Sequence, residues 1–159
     1  MCLASPFVLA PLAGYTDLPF RLLCREQGAG LVFSEMISSH GLAQGQHKTM
    51  TMLKSVEAER PFIVQLFGAV PEVMAQAALK VCALPVDGID LNMGCPVRKV
   101  TRRGAGVALM QQSATAEAII RAVCAVSSVP VSVKFRSGRD ANTINAVEYG
   151  QMAEAAGAA

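Results

Sequence analysis

The sequence predicts a parallel α/β fold of the (β/α)8 TIM-barrel type, of which it accounts for the five N-terminal strand–helix units. Three observations point there. Short apolar runs alternate with longer stretches of helical periodicity, and parallel strands require the crossover connections that such alternation supplies. No glycine-rich dinucleotide fingerprint follows the first run: it leads into Ala10-Pro11-Leu12-Ala13-Gly14-Tyr15, and Gly104-Ala105-Gly106 lacks a third glycine and a position between strand and helix. Polar residues of distinct chemistry fall at the ends of the runs, where a barrel carries its active site.

In chain order, the apolar runs 7–10, 31–34, 62–67, 88–92 and 131–135 read as strands. The intervening segments 18–27, 71–83, 114–126 and 142–156 read as helices, rich in Ala, Leu, Glu and Gln. Pro71 suits a first helical turn, and Pro85 and Pro130 suit positions just beyond helix ends. The stretch 41–60 reads as an irregular or helical connection closing at Arg60-Pro61.

Composition excludes several other classes. The chain has 159 residues, 52% hydrophobic and 16% charged, with a net charge of +2, which is too aliphatic and too weakly charged for a disordered protein. Five cysteines, an odd number without a Cys-x-x-Cys pair, indicate neither a disulfide framework nor a structural metal site, so the expectation is a reducing, cytoplasmic location without metal. The apolar start lacks a basic segment and carries Pro6 and Pro11, unlike a secretory signal. No apolar run is long enough to span a membrane.

The small net charge conceals an asymmetry. Residues 98–139 hold eight Lys/Arg against the single acid Glu117. Such a stretch suits an anionic ligand such as phosphate or nucleic acid, and composition alone fits a solvated positive face equally well.

The strand ends supply the candidate site. The first run leads to Pro11, Leu12 and Ala13, the second to Ser34-Glu35, the third contains Gln65, the fourth delivers Asn92 and Cys95, and the fifth delivers Lys134 and Arg136. Glu35 reads best as a loop cap or an arginine partner. Gln65, inside an apolar strand, needs a hydrogen-bond partner, either backbone or ligand. Lys134, after Val131-Ser132-Val133, needs a counter-charge, from an anionic cofactor, Glu35 or Asp90. Cys24, Cys82 and Cys124 sit among Leu, Val and Ala in helices and read as small core residues. Cys95, in Asn92-Met93-Gly94-Cys95-Pro96, sits instead in a Gly/Pro-shaped loop after a strand. A free thiol, with an ordinary pKa of about 8.5, is protonated near neutrality and suits proton donation as well as attack. His40 and His47 both lie in the early connection, so a Cys–His nucleophile has no support.

Taken in order, these residues resemble the flavin-dependent tRNA-dihydrouridine synthases of the bacterial type. The matching blocks run from Leu9 to Arg21 (Leu-Ala-Pro-Leu-Ala-Gly-Tyr-Thr-Asp-Leu-Pro-Phe-Arg), then Ser34-Glu35-Met36, Gln65-Leu66-Phe67-Gly68 and Asp90-Leu91-Asn92-Met93-Gly94-Cys95-Pro96. They continue with Lys99-Val100, Gly104-Ala105-Gly106 and Val133-Lys134-Phe135-Arg136. The resemblance implies reduction of the uridine C5=C6 bond in tRNA, with NADPH reducing FMN, hydride passing to C6 and Cys95 protonating C5. It implies that the backbone at Pro11, Leu12 and Ala13 lines the isoalloxazine, that Gln65 bonds its pyrimidine edge, and that Lys134 favours negative charge near N1 and O2. Asn92 and Arg136 would orient the uracil. Arg98, Lys99, Arg102 and Arg103 would hold tRNA phosphates while the uridine is turned out of its stack, Lys99 also reaching the site.

The chain departs from the family pattern in having Leu12 where methionine is common, a volume-conserving change, and Arg139-Asp140 where a Gly-Trp pair is frequent. The expected domain is therefore the N-terminal portion, 1–159, of a flavin-binding barrel whose C-terminal half and helical tRNA-binding domain have no counterpart here. Two other readings stay open: a pyrimidine-reducing flavin barrel of the dihydroorotate dehydrogenase kind, and an inactive fragment that self-associates through open sheet edges.

Overall fold

The structure is a computed structural model that describes residues 3–159. Six strands, β1 (Val8–Leu9), β2 (Leu31–Phe33), β3 (Ile37–Ser38), β4 (Phe62–Phe67), β5 (Gly88–Asn92) and β6 (Val131–Lys134), form one parallel sheet in the order β1-β2-β4-β5-β6, with β3 added beside the end of β4. The sheet curls into an arc of a barrel, as the five strand–helix units predict. The short β3 is an addition to the expected set.

The helices are α1 (Leu18–Glu26), α2 (Ser39–Ala43), α3 (His47–Thr51), α4 (Pro71–Cys82), α5 (Arg98–Thr101), α6 (Ser113–Val126) and α7 (Ala146–Ala155). The connection 41–60 is thus largely helical, through α2, α3 and a 3-10 turn at Glu57–Glu59. Asp17 caps α1 by accepting from Phe20 N at 3.1 Å. The last helix starts later than the expected residue 142. Asp140 Oδ1 accepts from Asn142 N and Thr143 Oγ1, each at 3.0 Å, forming a turn that the helix cannot enter.

Register and strand alternation divide the sheet into two faces. Val64, Leu66, Ile89 and Leu91 join one buried cluster with Met74, Ala77 and Val81 of α4 and Ile119, Ile120 and Val123 of α6. The other face carries Ile63, Gln65 and Phe67 of β4, Gly88, Asp90 and Asn92 of β5, and Ser132 and Lys134 of β6, in lateral register. Gly88 leaves room for Ile63, whose Cδ1 would lie 2.6 Å from an added Cβ. At the β1 edge Phe7 and Val8 remain 76% and 43% exposed. Cys82 and Cys124 pack against the core from half-buried positions, and Cys24 is also half-buried, because each lies on the flank of its helix rather than on the face against the sheet. Cys2 lies outside the described residues.

One buried ion pair ties the first strand-end loop to the frame. Arg21 donates from Nε and Nη2 to the two carboxylate oxygens of Glu59, from Nη1 to Thr16 O at 2.9 Å, and from Nη2 to Lys54 O at 2.8 Å, with its guanidinium 4.5 Å from the Phe62 ring centroid. Both side chains are buried, so neither charge can turn to water when its partner is lost. Glu59→Ala is expected to destabilise the fold by about 3 kcal/mol in a urea titration; a loss under ~1 kcal/mol would show that the pair is dispensable.

Candidate functional site

The predicted site residues lie in the C-terminal half of the sheet strands or in the connections leaving them, Gln65 two residues before the end of β4 and Arg98 and Lys99 on α5. After β1, Pro11, Leu12 and Ala13 form a turn closed on itself: Leu12 O accepts from Tyr15 N at 3.1 Å and Thr16 N at 3.0 Å, while Leu12 N donates to Thr16 Oγ1 at 3.1 Å. Gly14 has a φ of 82°, which favours glycine, and its N–H donates to the Glu35 carboxylate at the end of β2. Glu35 is therefore a loop cap, the first of the two alternatives its position offered.

The centre of the site is a chain of side-chain hydrogen bonds across three strands. Ser132 Oγ donates to Asp90 Oδ1 at 2.7 Å, and Gln65 Nε2 donates to Asp90 Oδ2 at 2.6 Å. Asn92 Nδ2 donates to Gln65 Oε1 at 2.9 Å. Asn92 Oδ1 then accepts from the backbone N–H of Cys95 at 3.0 Å and of Gly94 at 3.3 Å. Gln65 is 1% and Asp90 2% exposed, and their partners are side chains, where the sequence suggested backbone or ligand. Asp90 and Ser132 were not among the predicted site residues; the signal was present as polar residues at alternate positions of two otherwise apolar strands.

The Cys95 loop is held from all sides. Besides the two bonds to Asn92, Met93 N donates to Lys134 O at 2.9 Å, Arg136 Nε to Gly94 O at 2.6 Å and Val107 N to Cys95 O at 3.0 Å. Gly106 combines a φ of 62° with an approach so close that a Cβ would sit 2.5 Å from Cys95 O, so this position requires glycine. Beneath the loop, Tyr149 Oη lies 2.9 Å from Met93 Sδ. Cys95 itself is partly exposed.

Lys134 is exposed, contrary to the expectation for a buried strand end, because it ends β6, the last strand at this edge of the sheet. Among the described residues it forms no ion pair; its charge acts on Asp90 at longer range. Burial pushes the Asp90 carboxyl up to about 6, against the opposing hydrogen bonds from Gln65 and Ser132 and the positive charge of Lys134. Arg98 and Lys99 on α5, with Arg102 and Arg103 just after it, are all exposed, and among the described residues none is in an ion pair. Arg103 and Ala105 edge a cleft of about 560 Å³ shared with Ser38, His40, Phe67 and Gly68, beside the Cys95 loop. No helix among the described residues is long and apolar enough to cross a membrane.

Residues 8–159 match the family model described as Dihydrouridine synthase (Dus). The chain is 41% identical to "tRNA-dihydrouridine synthase B" of Pseudomonas aeruginosa over 98% of its own length and 47% of that protein's. It is 43% identical to the protein of the same name from Klebsiella pneumoniae, over 98% and 48%. To "Probable tRNA-dihydrouridine synthase 1" of Synechocystis it is 41% identical, over 99% and 44%. The chain thus spans about half the length of the curated relatives it matches.

The raised Asp90 pKa links the site to stability. The folded state holds this proton more tightly than the unfolded chain, so the stability Asp90 contributes is present below pH ~4 and is lost as pH rises through about 6. Relative to Asp90→Asn, which has no such proton, wild-type stability is expected to fall by on the order of 2–3 kcal/mol between pH 4 and 7. Denaturant titrations across that range check it; a constant difference would contradict it.

Proposed function

The chain belongs to the dihydrouridine synthase family, and from that premise we propose that it forms the N-terminal part of a barrel that reduces uridine to 5,6-dihydrouridine in tRNA. The observation carrying this reading is the placement of Cys95 on a loop after β5 clamped by Asn92 and Arg136, with Asn92 in turn bonded to Gln65. Bound at these strand ends, FMN reduced by NADPH would supply the hydride for C6 of the uracil.

The residues at the strand ends fit such a cofactor. Gln65 has one Nε2 hydrogen left after its bond to Asp90, which would donate to the pyrimidine edge of the isoalloxazine once side chains around it give way. Lys134 brings a positive charge to the same face and would favour negative charge at N1 and O2. The backbone of Pro11, Leu12 and Ala13, in a turn held by Thr16 and Glu35, would line the ring system.

Cys95 holds at Sγ the proton destined for C5. The C5=C6 π bond breaks, the new C6–H bond takes the hydride pair, the new C5–H bond takes the thiol proton, and water reprotonates the thiolate. Asn92 and Arg136 orient the uracil, Arg136 with four of its five N–H donors free of the Gly94 carbonyl. Arg98, Lys99, Arg102 and Arg103 hold phosphates of the tRNA, and the cleft edged by Arg103 gives the RNA a concave surface beside the loop. The exposed Phe7 and Val8 at the β1 edge support closure by further strands, or by a second copy.

Cys95→Ala is expected to keep NADPH-dependent reduction of bound FMN while dihydrouridine formation falls by about 100-fold or more, the scale of a lost general acid. Stopped-flow flavin absorbance and nucleoside mass spectrometry read the two steps, and undiminished turnover would exclude Cys95 as donor. Replacing Arg98, Lys99, Arg102 and Arg103 together by Ala is expected to weaken tRNA binding and lower the salt slope of log Kd by about 3. An unchanged slope in filter-binding titrations would remove these residues from the RNA interface.

A further inference from the structure

We propose that Asp90 is a positioning residue whose acceptor-only carboxylate, anchored by Ser132, sets the amide orientation of Gln65 and Asn92 and thereby the backbone of the Cys95 loop. It never touches the reacting atoms. The proposal deepens the functional reading above for its relevance to catalysis, but its geometry stands without flavin or RNA.

Donor and acceptor count leaves only one arrangement. An ionised carboxylate accepts and does not donate, so Gln65 must turn Nε2 toward Asp90 Oδ2, as it does at 2.6 Å. That turns Gln65 Oε1 toward Asn92, which answers with Nδ2 at 2.9 Å. Asn92 then faces Gly94 N and Cys95 N with Oδ1, and these backbone groups can only donate. Were the Gln65 amide reversed, its oxygen would oppose the carboxylate; were both amides reversed, Asn92 Nδ2 would face two N–H groups. With Gln65 and Asp90 almost fully buried, water cannot mend such a mismatch. Ser132 Oγ, donating to the other carboxylate oxygen at 2.7 Å, keeps Asp90 from rotating.

The chain of bonds also separates hydrogen-bond polarity from charge. In Asp90→Asn, Oδ1 can still accept from Gln65 while Nδ2 donates to Ser132 Oγ, which accepts as readily as it donates. The orientation survives although the charge is gone. In Asp90→Ala no acceptor remains, and both amides are free to turn.

Amide hydrogen exchange on the chain as it stands reads this directly. Asp90→Ala is expected to accelerate exchange at Gly94 and Cys95 about tenfold relative to amides in α4 and α6, with Asp90→Asn within about twofold of wild type. If Asp90→Ala fails to fold, Gln65→Met breaks the next bond along and should give the same local acceleration. Equal acceleration throughout the fold, no acceleration at Gly94 and Cys95, or an Asp90→Asn variant that behaves like Asp90→Ala would each overturn the proposal. Because none of these measurements needs cofactor or substrate, they test the positioning role by itself, whereas undiminished dihydrouridine formation by Cys95→Ala would count against the functional reading alone.

Discussion

A carboxylate buried in a parallel sheet has to be surrounded by donors, and in this protein that requirement organises the site. Asp90 lies on β5 between two strands in register, so that Gln65 and Ser132 stand directly beside it. The penalty for burying the charge appears as its raised pKa, and two hydrogen bonds and the Lys134 charge offset part of it. What the arrangement provides is direction: a line of polar groups, each with its donor side determined by the one before, that ends at the backbone of Cys95.

The rest of the architecture supports that line without competing with it. The helix-facing side of β4 and β5 is wholly apolar and packs on α4 and α6, so the three central strands cannot slip without moving an entire hydrophobic set. The Arg21–Glu59 pair fixes the end of the loop after β1, and Glu35 fixes its middle. Gly106 lets the segment after α5 close on Cys95 O. Basic residues that the core could not hold sit outside this frame, on and after α5.

Much of this was legible in the sequence, and the parts that were not have identifiable causes. β4 and β5 fall at 62–67 and 88–92 as read, because short, largely apolar runs buried on both faces and bounded by proline- and glycine-containing turns are distinctive even with Gln65, Asp90 and Asn92 inside them. β3 has two residues, too few for any periodicity, and the stretch 39–51 holds two five-residue helices too short to show one, the first capped by Ser38 Oγ accepting from Gly41 N. The residue types at the strand ends marked out Gln65, Asn92, Cys95 and Lys134. The partners of Gln65 were not legible, since a single sequence does not reveal that Gln65 lies opposite Asp90 and Asp90 opposite Ser132. Nor did it show that Lys134 sits at an exposed sheet edge, a consequence of the position of β6 in the sheet.

The most direct test of the hydrogen-bonded line is to detect its bonds themselves, through NMR scalar couplings transmitted across them in uniformly labelled protein. Couplings are predicted from Gln65 Nε2 to the Asp90 carboxyl carbon, from Asn92 Nδ2 to the Gln65 amide carbon, and from Cys95 N to the Asn92 amide carbon. A Gln65 amide coupled in the opposite sense, or a Cys95 N–H coupled to a different acceptor, would contradict the account.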